Sequence, residues 1–265
     1  FVIKIGYPDK WMDYSALDID EHKSYYQNLE AATRFTQAEN LKELGKPVDR
    51  TKWLMSPQEV NAYYMPTTNE ICFPAGILQP PFFNMDADDA VNYGAIGVVI
   101  GHEMTHGFDD EGSNFDKDGN MNNWWTAEDR KKFEAATQRL AKQFSSVTVA
   151  PGLKANGQLT LGENIADQGG LTIAYLALQM ANEGKQIPKI DDFTPDQRFY
   201  IAYARLWGQN ITEAEIRRLT KLDPHSLGLL RVNQALRNID PFYKAFNIRP
   251  KDKMYTAPKD RVVVW

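Results

Sequence analysis

Hydrophobic residues along this chain change their period several times, and each change marks an expected element. Residues 13–45 are polar and rich in helix formers. Tyr25, Leu29, Ala32 and Phe35 recur there at three- and four-residue spacing, as on one helical face, and Gly45-Lys46-Pro47 closes the segment. Val60, Ala62 and Tyr64 alternate, and Glu70-Ile71-Cys72-Phe73 forms a second short run. With turn residues Pro66 to Asn69 between them, they predict a β-hairpin or edge pair, ended by Pro74-Ala75-Gly76 and Pro80-Pro81. From Asp88 to about Phe108 the pattern is helical and apolar nearly all round, which predicts a buried helix. Residues 109–125 form a polar Asn/Asp/Gly loop, after which Thr126 is the expected N-cap of a charged helix to about Phe144. Leu161 to Met180 reads as a second apolar helix, Asp191 to Pro195 as a loop, and Phe199 to Trp207 as helical. Thr212-Glu213-Ala214-Glu215 has the capping-box pattern, and residues 226–246 predict a last helix or two before an irregular tail from Pro250 to Trp265.

Composition narrows the class. The 265 residues carry 30 Lys+Arg against 35 Asp+Glu, a formal net charge of -5, with 43% hydrophobic and 25% charged residues. That is ordinary for a soluble globular protein of one large or two small domains. The mild acidity argues against a nucleic-acid binder. The single cysteine, Cys72, rules out an internal disulfide and a Cys-rich zinc knuckle. The longest apolar stretch, around Ile96 to Ile100, is broken by Gly94, Gly97 and Gly101. It falls far short of the ~20 residues that span a bilayer, so no membrane segment is expected in this chain. No signal peptide opens the sequence, and Phe1-Val2-Ile3-Lys4 lacks an initiator Met, which suggests removal of something upstream.

The chemistry concentrates in His102-Glu103-Met104-Thr105-His106, an H-E-x-x-H sequence inside a predicted helix. Four residues of helix turn about 400°, so the two imidazoles lie on nearly one face, the spacing a zinc site takes from one helix. Glu103 sits about 100° round from His102, where it can reach a metal-bound water without being a ligand. The bland alternative is two ordinary histidines and a salt-bridging Glu. Two of the chain's 4 histidines in one turn of a buried helix argue against it, because burying them without partners is costly. A catalytic zinc needs a third protein ligand and an open position. The extended form with a glycine and a third histidine downstream is excluded, since Asp109 and Gly112 stand in those places. Glu163, in Gly162-Glu163-Asn164-Ile165-Ala166-Asp167, is the best remaining candidate, with Asp167 four residues on along the same helical face. One carboxylate could bind metal while the other orients a histidine, or both could simply favour a solvated helix N-terminus.

Several segments together resemble a known family. Val60-Asn61-Ala62-Tyr63-Tyr64, Phe73 to Phe83, His102 to Asp110, Gly162 to Asp167 and His225 to Arg231 are similar, in that order, to the neprilysin family of zinc endopeptidases. Endothelin-converting enzymes and bacterial oligopeptidases belong to it. The resemblance implies an α+β, mostly α, thermolysin-like zincin catalytic domain with a small edge β-sheet, spanning 1–265. It implies one zinc ion per chain held by His102, His106 and Glu163, with Asp109 and Asp167 orienting the histidines. Glu103 would activate the zinc-bound water and then donate a proton to the leaving amine, and His225 would stabilise the oxyanion. Arg231 would hold a substrate carbonyl, and Asn61 and Ala62 would pair with the substrate backbone as an added strand. Without the family, His225 and Arg231 read as a helix-end His and a surface Arg. Ile77, Phe82, Val98, Val99, Leu206 and Trp207 would form a pocket for a bulky apolar side chain just after the scissile bond, though each otherwise reads as core.

The implied partners are oligopeptides and a helical N-terminal domain that closes over the site and is absent from this chain. Family habit favours an exported or surface-anchored place of work. The tail Arg261-Val262-Val263-Val264-Trp265 lacks the Cys usual in animal members and points to a bacterial one. The rival class is a zinc-stabilised binding module or a fragment inactive without its lid. Asn114 to Gly119 resembles the start of a calcium loop, but the twelfth position is Trp125, so an Asx-rich turn is expected instead. Asn210-Ile211-Thr212 matches a glycosylation sequon, yet Thr212 suits an N-cap better.

Overall fold

The computed structural model describes all residues 1–265. Its sheet has three strands, β1 (Val2–Gly6), β2 (Tyr63–Met65) and β3 (Glu70–Pro74), in the order β1-β3-β2. The expected hairpin is β2 and β3, antiparallel, with Tyr63 opposite Cys72. Strand β1 was not foreseen, because its few residues interrupt their apolar run with Lys4. It pairs in parallel with β3, and the reason lies in the tertiary structure. Lys4 is buried, its Nζ donating to Glu70 Oε1 at 2.7 Å and to the Lys52 carbonyl at 2.5 Å. Tyr63 Oη donates to the same Glu70 oxygen at 3.0 Å, so one buried carboxylate ties all three strands together.

Nine α-helices follow or flank the sheet. Helix α1 (Tyr25–Leu41) has Ser24 as N-cap in a complete capping box with Gln27. It buries no residue: Tyr25 and Leu29 of its expected apolar face are exposed, and Phe35 lies 5.7 Å from Tyr14 ring to ring. The predicted helix 88–108 is one continuous rod of four pieces: α2 (Asp89–Asn92), a π-turn (Tyr93–Gly97), α3 (Val98–Thr105) and a 3-10 turn (His106–Phe108). Asp88 caps it by accepting from the Ala90 N–H. It is not buried all round as expected, since Ile100 and Met104 are 39% and 40% exposed on the outer face. In the loop that follows, Asp116 Oδ1 accepts from the Asp118 and Asn120 backbone N–H groups, the expected Asx-rich turn.

Helix α4 (Ala127–Ser145) starts at Thr126 as predicted. A small hairpin, β4 (Thr148–Ala150) and β5 (Leu153–Lys154), separates it from α5 (Leu161–Ala181). Helix α6 (Pro195–Leu206) begins earlier than its apolar run suggests, because Thr194 and Gln197 form a capping box and Pro195 fits the first turn. Helices α7 (Glu213–Leu222), α8 (Gly228–Leu236) and α9 (Asp240–Phe246) complete the chain's regular structure. Thr212 caps α7 through the Glu215 N–H. No helix is long and apolar enough to cross a membrane.

Helix α5 lies at the centre of the packing. Leu171, Ala174 and Leu178 enter one core with Phe199, Tyr200, Tyr203 and Phe242. Ile165 enters a second with Leu140, Phe144 and Val262. Its third face lies against α3 at backbone distance. A Cβ on Gly170 would sit 2.6 Å from the Val98 carbonyl oxygen and 2.8 Å from the His102 nitrogen, and one on Gly101 would sit 2.9 Å from the Gly170 Cα. Only glycines allow this approach.

Gly170→Ala is therefore expected to lower stability by about 1–3 kcal/mol, from forced overpacking, and to weaken metal retention. Gly97→Ala, whose Cβ would meet nothing nearer than 3.5 Å, should be tolerated. Urea unfolding midpoints of the two variants check this.

Candidate active site

The close crossing of α3 and α5 sets two elements of the site face to face. His102 and His106 stand one turn apart on α3 and the turn that continues it, with Nε2 atoms 3.0 Å from each other. Each Nδ1 faces a carboxylate: His102 reaches Asp167 Oδ1 at 2.9 Å, and His106 reaches Asp109 Oδ2 at 2.7 Å. A carboxylate only accepts, so each ring carries a proton on Nδ1 and, when neutral as a metal ligand must be, turns a bare Nε2 lone pair toward the other. Two lone pairs at that separation repel unless a cation lies between them. Glu163, in the first turn of α5, completes the set, with Oε2 3.2 Å from His102 Nε2 and Oε1 3.6 Å from His106 Nε2. Glu163 Oε2 is buried and has no hydrogen-bond partner. Donors at 2.0–2.1 Å from a tetrahedral zinc would lie about 3.3 Å apart. The three residues, whose ligand atoms all lie within 4.8 Å of one another, fit that geometry. Burial pushes the Glu163 carboxyl up, yet positive charge on His102, His106 and His225 holds it down at about 2 when those rings are protonated, and a bound cation acts in the same sense, so the carboxylate is ionised.

Asp167 has a second partner. Arg231, on α8, grips it through two hydrogen bonds, Nε to Oδ2 at 2.8 Å and Nη2 to Oδ1 at 2.7 Å. Burial raises the Asp167 carboxyl, but the Arg231 guanidinium and the His102 ring hold it well below the usual carboxylate range. Arg231 itself is 6% exposed, not the surface arginine that the sequence alone suggests. Its guanidinium lies 3.7 Å from the centre of the Trp207 ring, a cation–π contact, and Tyr203 Oη donates to its carbonyl. Position and charge of the orienting carboxylate thus depend on a third helix.

These groups open on a cavity of about 720 Å³ that every sequence-nominated residue lines. Asn61 and Ala62 stand on one wall, where β2 is the sheet's edge strand. The Asn61 side chain folds onto the Ala62 N–H at 2.9 Å. Ile77, Phe82, Val98, Val99, Leu206 and Trp207 line the apolar part, and Val98 and Ile77 belong to the hydrophobic cores as well. Glu103 is 6% exposed, and burial raises its carboxyl above the ordinary range while the neighbouring imidazoles oppose that. His225 leans in from the loop before α8, Nε2 3.4 Å from Glu163 Oε2.

Sequence reasoning passed over Asp223, which accepts from both the backbone N–H and Nδ1 of His225, each at 2.8 Å. The signal was present, since an Asp two residues before a His favours such an Asx turn. It also passed over Tyr203, Gln209 and Leu219, which line the same cavity and carried no pattern of their own.

Residues 61–262 match Peptidase family M13. The chain belongs to this family. It is 39% identical to Neprilysin-3 of Drosophila melanogaster over 98% of its own length and 34% of that protein's. It is 38% identical to the neutral endopeptidase of Lactococcus lactis, over 98% of this chain and 40% of that one. The crystal structure of the Mycobacterium tuberculosis zinc metalloprotease ZMP1 with an inhibitor superposes with a TM-score of 0.96 at 46% identity, covering 100% of this chain and 41% of that one. The chain thus spans well under half the length of these relatives. Its thermolysin-like, mostly helical fold is that of these M13 neighbours. The cofactor of this M13 centre is zinc, which suits the two-imidazole, one-carboxylate donor set.

Asp167→Asn should leave the hydrogen-bonded frame nearly intact but remove the charge behind His102. Zinc affinity is expected to fall about 10–100-fold, measured by competition with a chromophoric chelator.

Proposed function

We propose that this chain, residues 1–265, is the catalytic domain of a zinc endopeptidase that cleaves oligopeptides. The observation that carries this reading is Glu103. Its carboxylate is buried in the cavity next to the three donors, yet it is not one of them. A purely structural zinc site closes its coordination and needs no such neighbour. When bound, zinc supplies Lewis acidity, polarising the scissile carbonyl and lowering the pKa of an attacking water toward ~7.

The chain's own residues do the rest. Glu103 takes the proton of the attacking water and delivers it to the departing amine, and its raised proton affinity suits both tasks. His225, its Nδ1–H held by Asp223, acts in its doubly protonated form and donates Nε2–H to the oxyanion that develops on the former carbonyl oxygen. Asp109 and Asp167 keep both ligand imidazoles in one tautomer. Arg231 spends its donors on Asp167 but keeps its place in the cavity wall, so substrate contact and histidine orientation meet in one side chain.

Substrate enters as an extended strand along Val60-Asn61-Ala62, with hydrogen bonds to the peptide backbone giving sequence-tolerant affinity. The apolar wall of Phe82, Val99, Leu206 and Trp207 favours a bulky hydrophobic residue immediately after the cleaved bond. A helical partner region that closes over the cavity belongs to the same reading, as does an extracytoplasmic place of work. Both rest on the resemblance to the neprilysin family.

Cleavage of an internally quenched oligopeptide, with zinc content measured in parallel, tests this. Glu103→Gln is expected to keep zinc and lose about 10²–10⁴-fold in kcat. Full activity in that variant would sink the mechanism. Zinc retention with no cleavage by the native protein, in its longest form, would make this a binding module instead.

A further inference from the structure

Six carboxylates line the peptide cavity, and five of them are committed. Glu163 belongs to the metal set, and Glu103 stands beside it. Asp109 and Asp167 hold the ligand imidazoles, and Asp223 holds His225. The sixth, Glu111, is exposed in the cavity wall and pairs with no cation. The cations of the neighbouring segments are engaged elsewhere: Lys117 with Asp118, Arg50 with the Thr68 and Asp118 carbonyls, and Arg130 with Glu134. The groups beside Glu111 carry its own sign. Burial, with Asp109 and Glu111 acting in the same sense, pushes the Asp110 carboxyl up to about 6.

The backbone that carries this charge is fixed to the metal centre. Asp109, whose Oδ2 holds His106, accepts the Glu111 and Gly112 N–H groups on Oδ1 at 2.8 and 2.7 Å. Gly112 lies so close to His106 that a Cβ on it would sit 1.9 Å from the His106 carbonyl oxygen. The fold also decides which end of the cavity this is. Before Asn61, the Pro57 carbonyl accepts from the Gly76 N–H at 2.8 Å, so that end of the strand adjoins the turn bearing Ile77 of the apolar pocket. After Tyr64, Asn69 Nδ2 donates to the Lys117 carbonyl at 3.0 Å, so this end adjoins the loop that carries Glu111. The apolar pocket and Glu111 therefore lie toward opposite ends of β2.

The peptidase reading above, on which this inference rests, gives the apolar pocket to the residue just after the cleaved bond. The Glu111 end then takes the residues before it. Asn61 and Ala62 pair with the backbone at the bond, and Tyr64 stands two positions further along the strand. We propose that Glu111 selects substrates with lysine or arginine at the second or third residue before the cleaved bond. The cationic head meets a carboxylate that nothing in the chain neutralises, while the aliphatic stem covers apolar surface of the cavity wall. The apolar pocket cannot supply this charge preference.

The probes are quenched peptides of one neutral sequence, with lysine or glutamate placed in turn at each position around the cleaved bond. For the native protein in its longest form, kcat/KM should favour lysine over glutamate about two- to fivefold at the second or third position before the bond, the effect of an exposed ion pair. Added salt should shrink the ratio. Glu111→Gln should bring it close to one, and Glu111→Lys should reverse it. Glu128→Gln, which removes an exposed acid outside the cavity, should keep it. Zinc content and circular dichroism check folding, and Glu111→Gln alone decides the matter if Glu111→Lys does not fold. Binding of the same peptides to zinc-loaded Glu103→Gln, followed by fluorescence polarisation, should show the same order. Cleavage without a charge preference, a preference that survives Glu111→Gln, or one located after the cleaved bond overturns this inference and leaves the peptidase reading standing. Selective, Glu111-dependent binding by a native protein that cleaves none of the peptides keeps the charge selection and removes the peptidase reading. Neither binding nor cleavage overturns both.

Discussion

The contact between α3 and α5 is the constraint on which the rest of this structure depends. At that crossing, side chains are replaced by backbone, with Gly101 against Gly170 and Gly170 against His102. Ordinary helix pairs stand 8–10 Å apart because side chains fill the gap. Removing them at the crossing brings the first turn of α5 near enough for a carboxylate of modest reach, Glu163, to share a point in space with two histidines of α3. A longer separation would leave three polar groups buried and unpartnered, which no packing elsewhere could offset. The two glycines thus convert an apolar helix pair into a metal site.

Around that point the charges form layers. The donors are two neutral rings and one carboxylate. Behind the rings stand Asp109 and Asp167, and behind Asp167 stands Arg231 over the Trp207 ring. The ring N–H groups donate to these carboxylates and Arg231 opposes Asp167 in sign, so the buried charge of Asp167 is compensated by neighbours at hydrogen-bond distance. The same arrangement couples elements far apart in the chain. Arg231 of α8 bonds to Asp167 of α5, which in turn bonds to the His102 ring of α3. His225 and Asp223, just before α8, approach the centre from the same side. The site is therefore held by α3, α5 and α8 jointly, with the edge of the small sheet as its fourth wall.

Much of the helical framework was legible from periodicity and caps. Thr126 and Asp88 begin their helices where local chemistry predicts, and α5 runs over nearly its expected span. The elements missed share a physical reason. Strand β1 exists because β3 offers it an edge and Glu70 accepts its buried lysine, and neither fact is local to residues 2–6. The hairpin of β4 and β5 is too short to carry a pattern. Ile100 and Met104 are apolar yet outward, since an apolar residue's burial depends on what packs against it.

The sequence by itself determined the metal-binding pair. Two histidines four apart on a helix must share a face, because the helical repeat is a property of the backbone. It also determined where the helices start, since caps act over three residues. Through resemblance it nominated the cavity's residues, but not how they meet. The resemblance also assigned Glu163 to the metal and Asp167 to a histidine, and only the tertiary structure decided that Asp167 serves His102 and Arg231 at once, and that Arg231 is buried. Those outcomes depend on the distance and rotation between helices, which are set by packing among residues dozens of positions apart. No local pattern encodes that geometry.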